Sequence, residues 1–248
     1  MRLPSALFVV ALAALAGPVQ AQGPAAADQR GPACPAWLDG VKRLVVVTVP
    51  QMGEVKASVS SYARRKSGGR WVKRSGPVPA VVGRTGLGWG IGFRDLAREG
   101  EPVKVEGDKR APAGIYRLGA TFGFNREDRA GYVRLKKDRH YCVDDLRATS
   151  YGSILPRSKV SEGVSGEDMR SFPLYRRGIF VEYPADRELK GGSCIFIHVA
   201  HEDGRGTVGC VAMAERAVEE LQDWVSAGKA AIAILPATAR ERFTGCLP

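Results

Sequence analysis

The sequence predicts a mainly β (α+β) fold in a single domain, on three observations. Short β-branched or apolar runs recur between Gly, Pro and basic turn residues, as over 44–49, 78–82, 179–183, 193–199 and 230–235. One stretch alone has clear helical spacing: Ala214, Val218, Leu221 and Val225 predict one prominent helix over about 211–227, with Gly228 as its stop. Between about 119 and 177 neither period is clear, which predicts a long irregular insertion, a feature compact domains rarely hold unless it is functional.

In chain order, Met1-Arg2, an apolar run over 7–16 and Val19-Gln20-Ala21 supply the charged, hydrophobic and small-residue parts of a secretory signal over residues 1–21. The run is too short and Ala-rich for a permanent membrane helix, so no stable membrane insertion is expected. Residues 22–37, built from Gly, Pro, Ala and polar residues, predict a linker, and 38–248 a single domain. After the strand at 44–49, residues 55–62 alternate partly and 78–82 form a further run. Between them Arg64-Arg65-Lys66, Arg70, Lys73 and Arg74 straddle Gly68-Gly69, as expected of a solvated hairpin tip. A short helix is expected over 93–98. The glycine-rich turn before it lacks the Lys followed by Ser or Thr of a phosphate loop, so nucleotide binding there is not expected. Residues 113–118 predict a strand. The insertion that follows offers Phe122, Phe124, Tyr132, His140, Tyr141, Asp144, Asp145, Tyr151 and Tyr175 as candidate walls of a peptide cleft.

With 44% hydrophobic and 25% charged residues, the 248-residue chain has ordinary globular composition. Its formal charge of +11 falls to +10 without residues 1–21, because Arg2 is the only charge among them. The positive residues are scattered rather than gathered into a basic helix or arm, so nucleic acid is not an expected partner; a basic face suits an acidic polymer or peptides with free carboxylates.

Chemistry concentrates in Ser193-Cys194-Ile195-Phe196-Ile197-His198 and Gly206-Thr207-Val208-Gly209-Cys210-Val211. A thiol that attacks near neutral pH needs a base, donors for the developing oxyanion and a rigid mount. The first run delivers His198 at a strand end. Cys210 is expected where a loop enters the predicted helix, where unpaired amides and the helix dipole would lower the thiol pKa. Gly209 suits the tight turn. The competing structural reading puts Cys210 in a disulfide.

At these residues the chain resembles the YkuD-type L,D-transpeptidase catalytic domains, whose signature is a strand-borne His, a loop, then Ser or Thr, any residue, Gly, Cys and an apolar residue. Here these are His198 and Thr207-Val208-Gly209-Cys210-Val211. Upstream, Gly107-Asp108-Lys109-Arg110-Ala111-Pro112-Ala113-Gly114-Ile115-Tyr116 resembles a second family segment, with Ala111 in place of Thr. The resemblance spans roughly 43–236 and implies an L,D-transpeptidase-like β-sandwich in an exported, periplasmic or cell-envelope enzyme. Its partners would be peptidoglycan stem peptides, and it would need no cofactor. It implies Cys210 as nucleophile, His198 as base, Gly209 and Thr207 at the oxyanion turn, and His201 and Tyr183 as candidate substrate contacts. Two departures stand out: Ala212 occupies a position where many members carry Arg or Asn, and the interval from His to Cys is shorter than in many members, implying a trimmed loop. The same residues would serve an L,D-carboxypeptidase or endopeptidase, and a non-catalytic cell-wall-binding module could share the fold. A papain-like protease would place Cys before His.

Five cysteines in an exported chain leave one over. If Cys210 stays free, Cys34 pairs first with Cys246, clamping the domain's ends, and Cys142 with Cys194 by elimination; other arrangements stay open. No metal is expected. His198, His201, Glu202 and Asp203 cluster in sequence, but the two histidines, three apart on a strand-to-loop segment, would point in different directions.

Overall fold

The computed structural model describes residues 33–248. The expected signal peptide and most of the expected linker lie outside the described residues. The part of that linker that is described is packed rather than free: Ala33 is buried, Cys34 is bonded to Cys246, and a 3-10 turn at Ala36–Gly40 buries Leu38.

The strands in order are β1 (Arg43–Val49), β2 (Lys56–Ala63), β3 (Val72–Val81), β4 (Leu87–Trp89), β5 (Ala111–Gly123), β6 (Val133–Arg134), β7 (Tyr141–Val143), β8 (Ile154–Leu155), β9 (Gly166–Asp168), β10 (Arg177–Val181), β11 (Phe196–Val199), β12 (Val211–Met213) and β13 (Ala230–Pro236). The large sheet runs β10-β11-β12-β3-β2-β1-β13-β5-β4. Because β10 also pairs with β5, the sheet folds back and closes around one core in a β-sandwich-like body. β1 and β13 read as continuous β-branched or small apolar runs because they lie mid-sheet, parallel to each other, with almost every side chain buried.

The helix α1 (Glu215–Ser226) buries Val218, Leu221 and Val225, each worth about 2 kcal/mol of apolar burial. Its fully buried Gln222 donates from Nε2 to the Phe122 and Gly178 carbonyls at 2.8 Å each, fastening α1 to β5 and β10. The predicted helix start is corrected here: 211–213 is the strand β12, and α1 begins only after Ala214. Apolar side chains at 211 and 213 fit either period, and pairing of β12 with both β11 and β3 decides for the strand.

The irregular insertion is shorter than expected and contains structure of its own. β5 continues to Gly123, and beyond it β8-β7-β9 form a separate three-stranded sheet. This small sheet covers a second apolar cluster of Phe122, Leu135, Cys142, Met169, Tyr175, Phe196 and Cys210. The disulfide Cys142–Cys194 ties β7 to the segment that enters β11. The basic hairpin tip forms as expected between β2 and β3, with Arg65, Lys66, Arg70, Lys73 and Arg74 exposed, and Arg64 alone departs from it: it is buried, donates from Nε to the Val41 carbonyl at 2.7 Å and to the Leu38 carbonyl, and stacks over Trp71 at 4.1 Å. Among the described residues no helix is long and apolar enough to cross a membrane.

Candidate active site

His198 stands on β11, in register with Gly178 of β10 on one side and Ala212 of β12 on the other. Its Nδ1 lies 2.8 Å from the Val199 carbonyl. A carbonyl can only accept, so Nδ1 carries the proton and Nε2 is left as the basic nitrogen. The Tyr175 ring packs edge-on against the imidazole, centroids 5.3 Å apart. Burial, partly offset by the Val199 bond, pushes the His198 pKa down to about 4.

Cys210 ends the turn that precedes β12 and is the free cysteine of the described chain; the other four form Cys34–Cys246 and Cys142–Cys194, the two pairings the sequence put first. The Phe196 N–H donates to Sγ at 3.3 Å, and Sγ approaches the Cys194 carbonyl at 3.4 Å. The turn itself is held by Thr207: its hydroxyl donates to the Cys210 carbonyl at 2.6 Å and accepts from the Gly209 N–H at 3.1 Å. Gly209 has φ +151°, a conformation side-chain-bearing residues rarely adopt.

Two expectations change. Cys210 precedes a strand and is separated from α1 by it, so no helix dipole acts on the thiol; burial, with Glu167 adding to it, raises its pKa to about 12. And the Gly209 N–H is spent on Thr207, which leaves the Cys210 N–H as the turn's donor for an oxyanion.

Cys210 and His198 line one cavity of about 520 Å³. Larger hollows beside Trp37 and Phe93 (about 630 Å³) and beside Trp71 (about 960 Å³) hold neither residue. Thr207, Gly209 and His201 share the cavity, whereas Tyr183 does not: its hydroxyl donates to the Gly191 carbonyl at 2.6 Å and accepts from the Ile91 N–H at 3.2 Å. Of the candidate cleft residues in the insertion, Asp144 and Tyr175 line the cavity, while Phe122 is fully buried in the cluster beneath. Sequence reasoning did not single out Arg84, Glu106, Glu167, Phe172, Leu174 and Arg205, which also line it. Glu167 comes from β9 and accepts from the Tyr175 hydroxyl at 2.8 Å; burial pushes its pKa up to about 7. Glu106 accepts from Tyr151 at 2.6 Å and Ser193 at 2.7 Å. The Gly-Asp segment acts at a distance: the Asp108 carboxylate holds the fully buried Lys104 at 2.6 Å and caps the turn into β5 through the Arg110 N–H.

A thiol, a neutral imidazole with one nitrogen committed to the backbone, and a glycine turn in a half-enclosed cavity make up the equipment of nucleophilic acyl transfer.

Comparison with protein families finds a match to the L,D-transpeptidase catalytic domain, YkuD, over residues 60–234. Comparison with curated proteins finds no match. Among solved structures, the helical cell shape determining protein Pgp2 from Campylobacter jejuni is similar at 18% identity, covering 79% of this chain and 48% of that one, with a TM-score of 0.38. A mutant of the same Campylobacter jejuni protein gives 17%, 79%, 47% and 0.38. The chain thus spans about half the length of the solved structures it matches.

Proposed function

The chain belongs to the YkuD family of L,D-transpeptidase catalytic domains, and on that premise we propose that it is an exported cysteine acyltransferase acting on peptidoglycan stem peptides through a thioacyl-enzyme. The observation that carries this reading is the placement of a free thiol, Cys210, and a backbone-held imidazole, His198, in one cavity.

With the thiol raised to about 12 and the imidazole lowered to about 4, both partners are uncharged at neutral pH. The nucleophile is then generated during attack rather than stored as a thiolate. His198 Nε2 takes the thiol proton while Sγ bonds to the carbonyl carbon of an L-centre to D-centre peptide bond. Charge develops on the carbonyl oxygen, toward which the Cys210 N–H is the available donor. Collapse breaks the C–N bond, and the imidazolium returns its proton to the departing amine.

The thioester is then attacked by an acceptor that His198 deprotonates. A second stem's amine gives a crosslink and an L,D-transpeptidase; water gives an L,D-carboxypeptidase or endopeptidase. The test is mass spectrometry of muropeptides incubated with the purified protein beside its Cys210→Ala variant. Crosslinked or shortened stems appearing with the wild type alone support acyl transfer, and an unchanged profile with the wild type overturns it in favour of a binding module.

A further inference from the structure

The charged groups lining the cavity are almost all engaged. Glu106 holds Tyr151 and Ser193, Glu167 holds Tyr175, and Asp144 accepts from Ser165 at 2.6 Å. Arg205 lies against the His201 ring at 3.1 Å and within 3.7 Å of Asp203. Arg84 differs. Among the described residues its guanidinium has no hydrogen bond, ion pair or ring contact, although it lines the same cavity as Cys210 and His198.

Its mount is rigid and belongs to the catalytic turn. The Arg84 N–H donates to the Thr207 carbonyl at 2.8 Å, Gly83 and Thr207 form a parallel bridge, and the Thr207 N–H returns a bond to the Val82 carbonyl at 2.8 Å. The approach is so close that a Cβ at Gly206 would fall 2.6 Å from the Arg84 Cα. Three residues after Thr207 comes the nucleophile, so the backbone that carries Arg84 is bonded to the backbone that sets Cys210. The position where many family members carry Arg or Asn offers no alternative cation, because Ala212 is fully buried in register between His198 and Val81.

Resting on the acyl-transfer reading above, we infer that Arg84 is the specificity-determining cation of this site, binding a free carboxylate of the donor peptide so that the adjacent peptide carbonyl is presented to Cys210. An uncommitted guanidinium presents a planar pair of donors that matches a carboxylate, and it does so without first breaking a pair within the protein. Arg205, already placed against His201 and Asp203, would have to be released before doing the same.

The experiment uses a matched pair of stem peptides, one with its terminal carboxylate free and one with it amidated, and reads the ratio of their kcat/KM values. The wild type should favour the acid by about tenfold or more, the range of a charge-assisted hydrogen bond. In Arg84→Ala the ratio should fall close to one through a rise in KM for the acid, and Arg84→Lys should recover part of it. Alkylation of Cys210 by iodoacetamide, an uncharged reagent, reports whether the turn has kept its shape in each variant. A ratio unchanged in Arg84→Ala, with alkylation as in the wild type, overturns the inference. If the wild type turns over neither peptide, the acyl-transfer reading falls, and calorimetry on Cys210→Ala protein decides Arg84 separately. Tighter binding of the acid that disappears with Arg84→Ala sustains it as the carboxylate ligand, and equal binding of acid and amide overturns it.

Discussion

The Thr207 hydroxyl donates to the Cys210 carbonyl across three residues while accepting from the Gly209 amide. One buried side chain therefore sets the backbone on both sides of the Cys210 thiol. Thr207→Val keeps the shape and leaves two backbone groups unpaired, each costing about 1–3 kcal/mol. Turnover should drop about tenfold or more, while Thr207→Ser should stay within a few-fold of wild type. Steady-state kinetics with circular dichroism as a fold control checks this; a loss in Thr207→Ser with Thr207→Val close to wild type would assign the role to the methyl group's packing.

Cys210→Ala should abolish turnover and retain the fold, because the thiol makes only two weak sulfur contacts, at 3.3 and 3.4 Å. Thiol titration of the denatured, unreduced protein should count one free cysteine, with peptide mapping placing it at Cys210. Normal turnover in Cys210→Ala would remove the thiol from the mechanism.

Stability against pH should show two opposing contributions. His198 has a folded pKa of about 4 against an ordinary 6.5, so between these values the unfolded state binds more protons and stability rises with pH. Glu167 is raised from 4.5 to about 7, so the folded state binds more protons there and stability falls as pH rises through that window. The wild type should be nearly flat from about pH 4.5 to 6.5. Urea midpoints should decline with pH in His198→Gln and climb with pH in Glu167→Gln. Parallel curves for all three proteins would contradict both assignments. The same shift places the acid limb of kcat/KM near pH 4, with His198→Gln slowing turnover by orders of magnitude at neutral pH.

Removing the two disulfides should have different consequences. Cys34–Cys246 closes a separation of 212 residues and lies away from the cavity, so Cys34→Ser with Cys246→Ser should lose stability, about 5 kcal/mol in the chain-entropy account, with little change in kcat. Cys142–Cys194 closes 52 residues and joins the insertion to the strand entry beside Cys210. Its removal should lower kcat as well as the melting temperature, measured by turnover and calorimetry; a loss confined to melting temperature would show the insertion holds its place unaided.

A carbapenem should acylate Cys210, because opening a strained amide ring makes the reverse step unfavourable. Two exposed apolar residues, Phe172 and Val208, line the cavity. Intact mass should rise by one inhibitor equivalent, mapped to Cys210 and absent in Cys210→Ala. Absence of labelling by both carbapenem and iodoacetamide would mean an inert thiol.

Much of the β architecture is visible in the residues. Runs such as Leu44 to Val49 and Ala230 to Pro236 announce strands because mid-sheet burial on both faces demands unbroken apolar sequence. His198 and Cys210 are legible because their spacing around Thr207 and Gly209 encodes a turn. What sequence did not reveal depends on pairing across long separations. The strand β12 spans three residues and is fixed by partners on β11 and β3, so local spacing assigned it to the helix. Closure of the sheet through β5 and β10, and delivery of Glu167 to the cavity by β9, have no local signature. Arg64 looked solvated because a guanidinium that finds carbonyls at Leu38 and Val41 cannot be told from one that finds water until the chain is folded.

The place of β13 between β1 and β5 governs when this domain can exist. The strand that comes last in chain order fills the middle of the sheet, so a chain that has emerged only as far as α1 presents two unpaired apolar edges and nothing to join them. Such a chain lacks the strand that closes the sheet between β1 and β5, so the body that carries the cavity of Cys210 is complete only once residues 230–236 are available to pair. A truncation before Ala230 should for the same reason leave an aggregating chain rather than a smaller working enzyme.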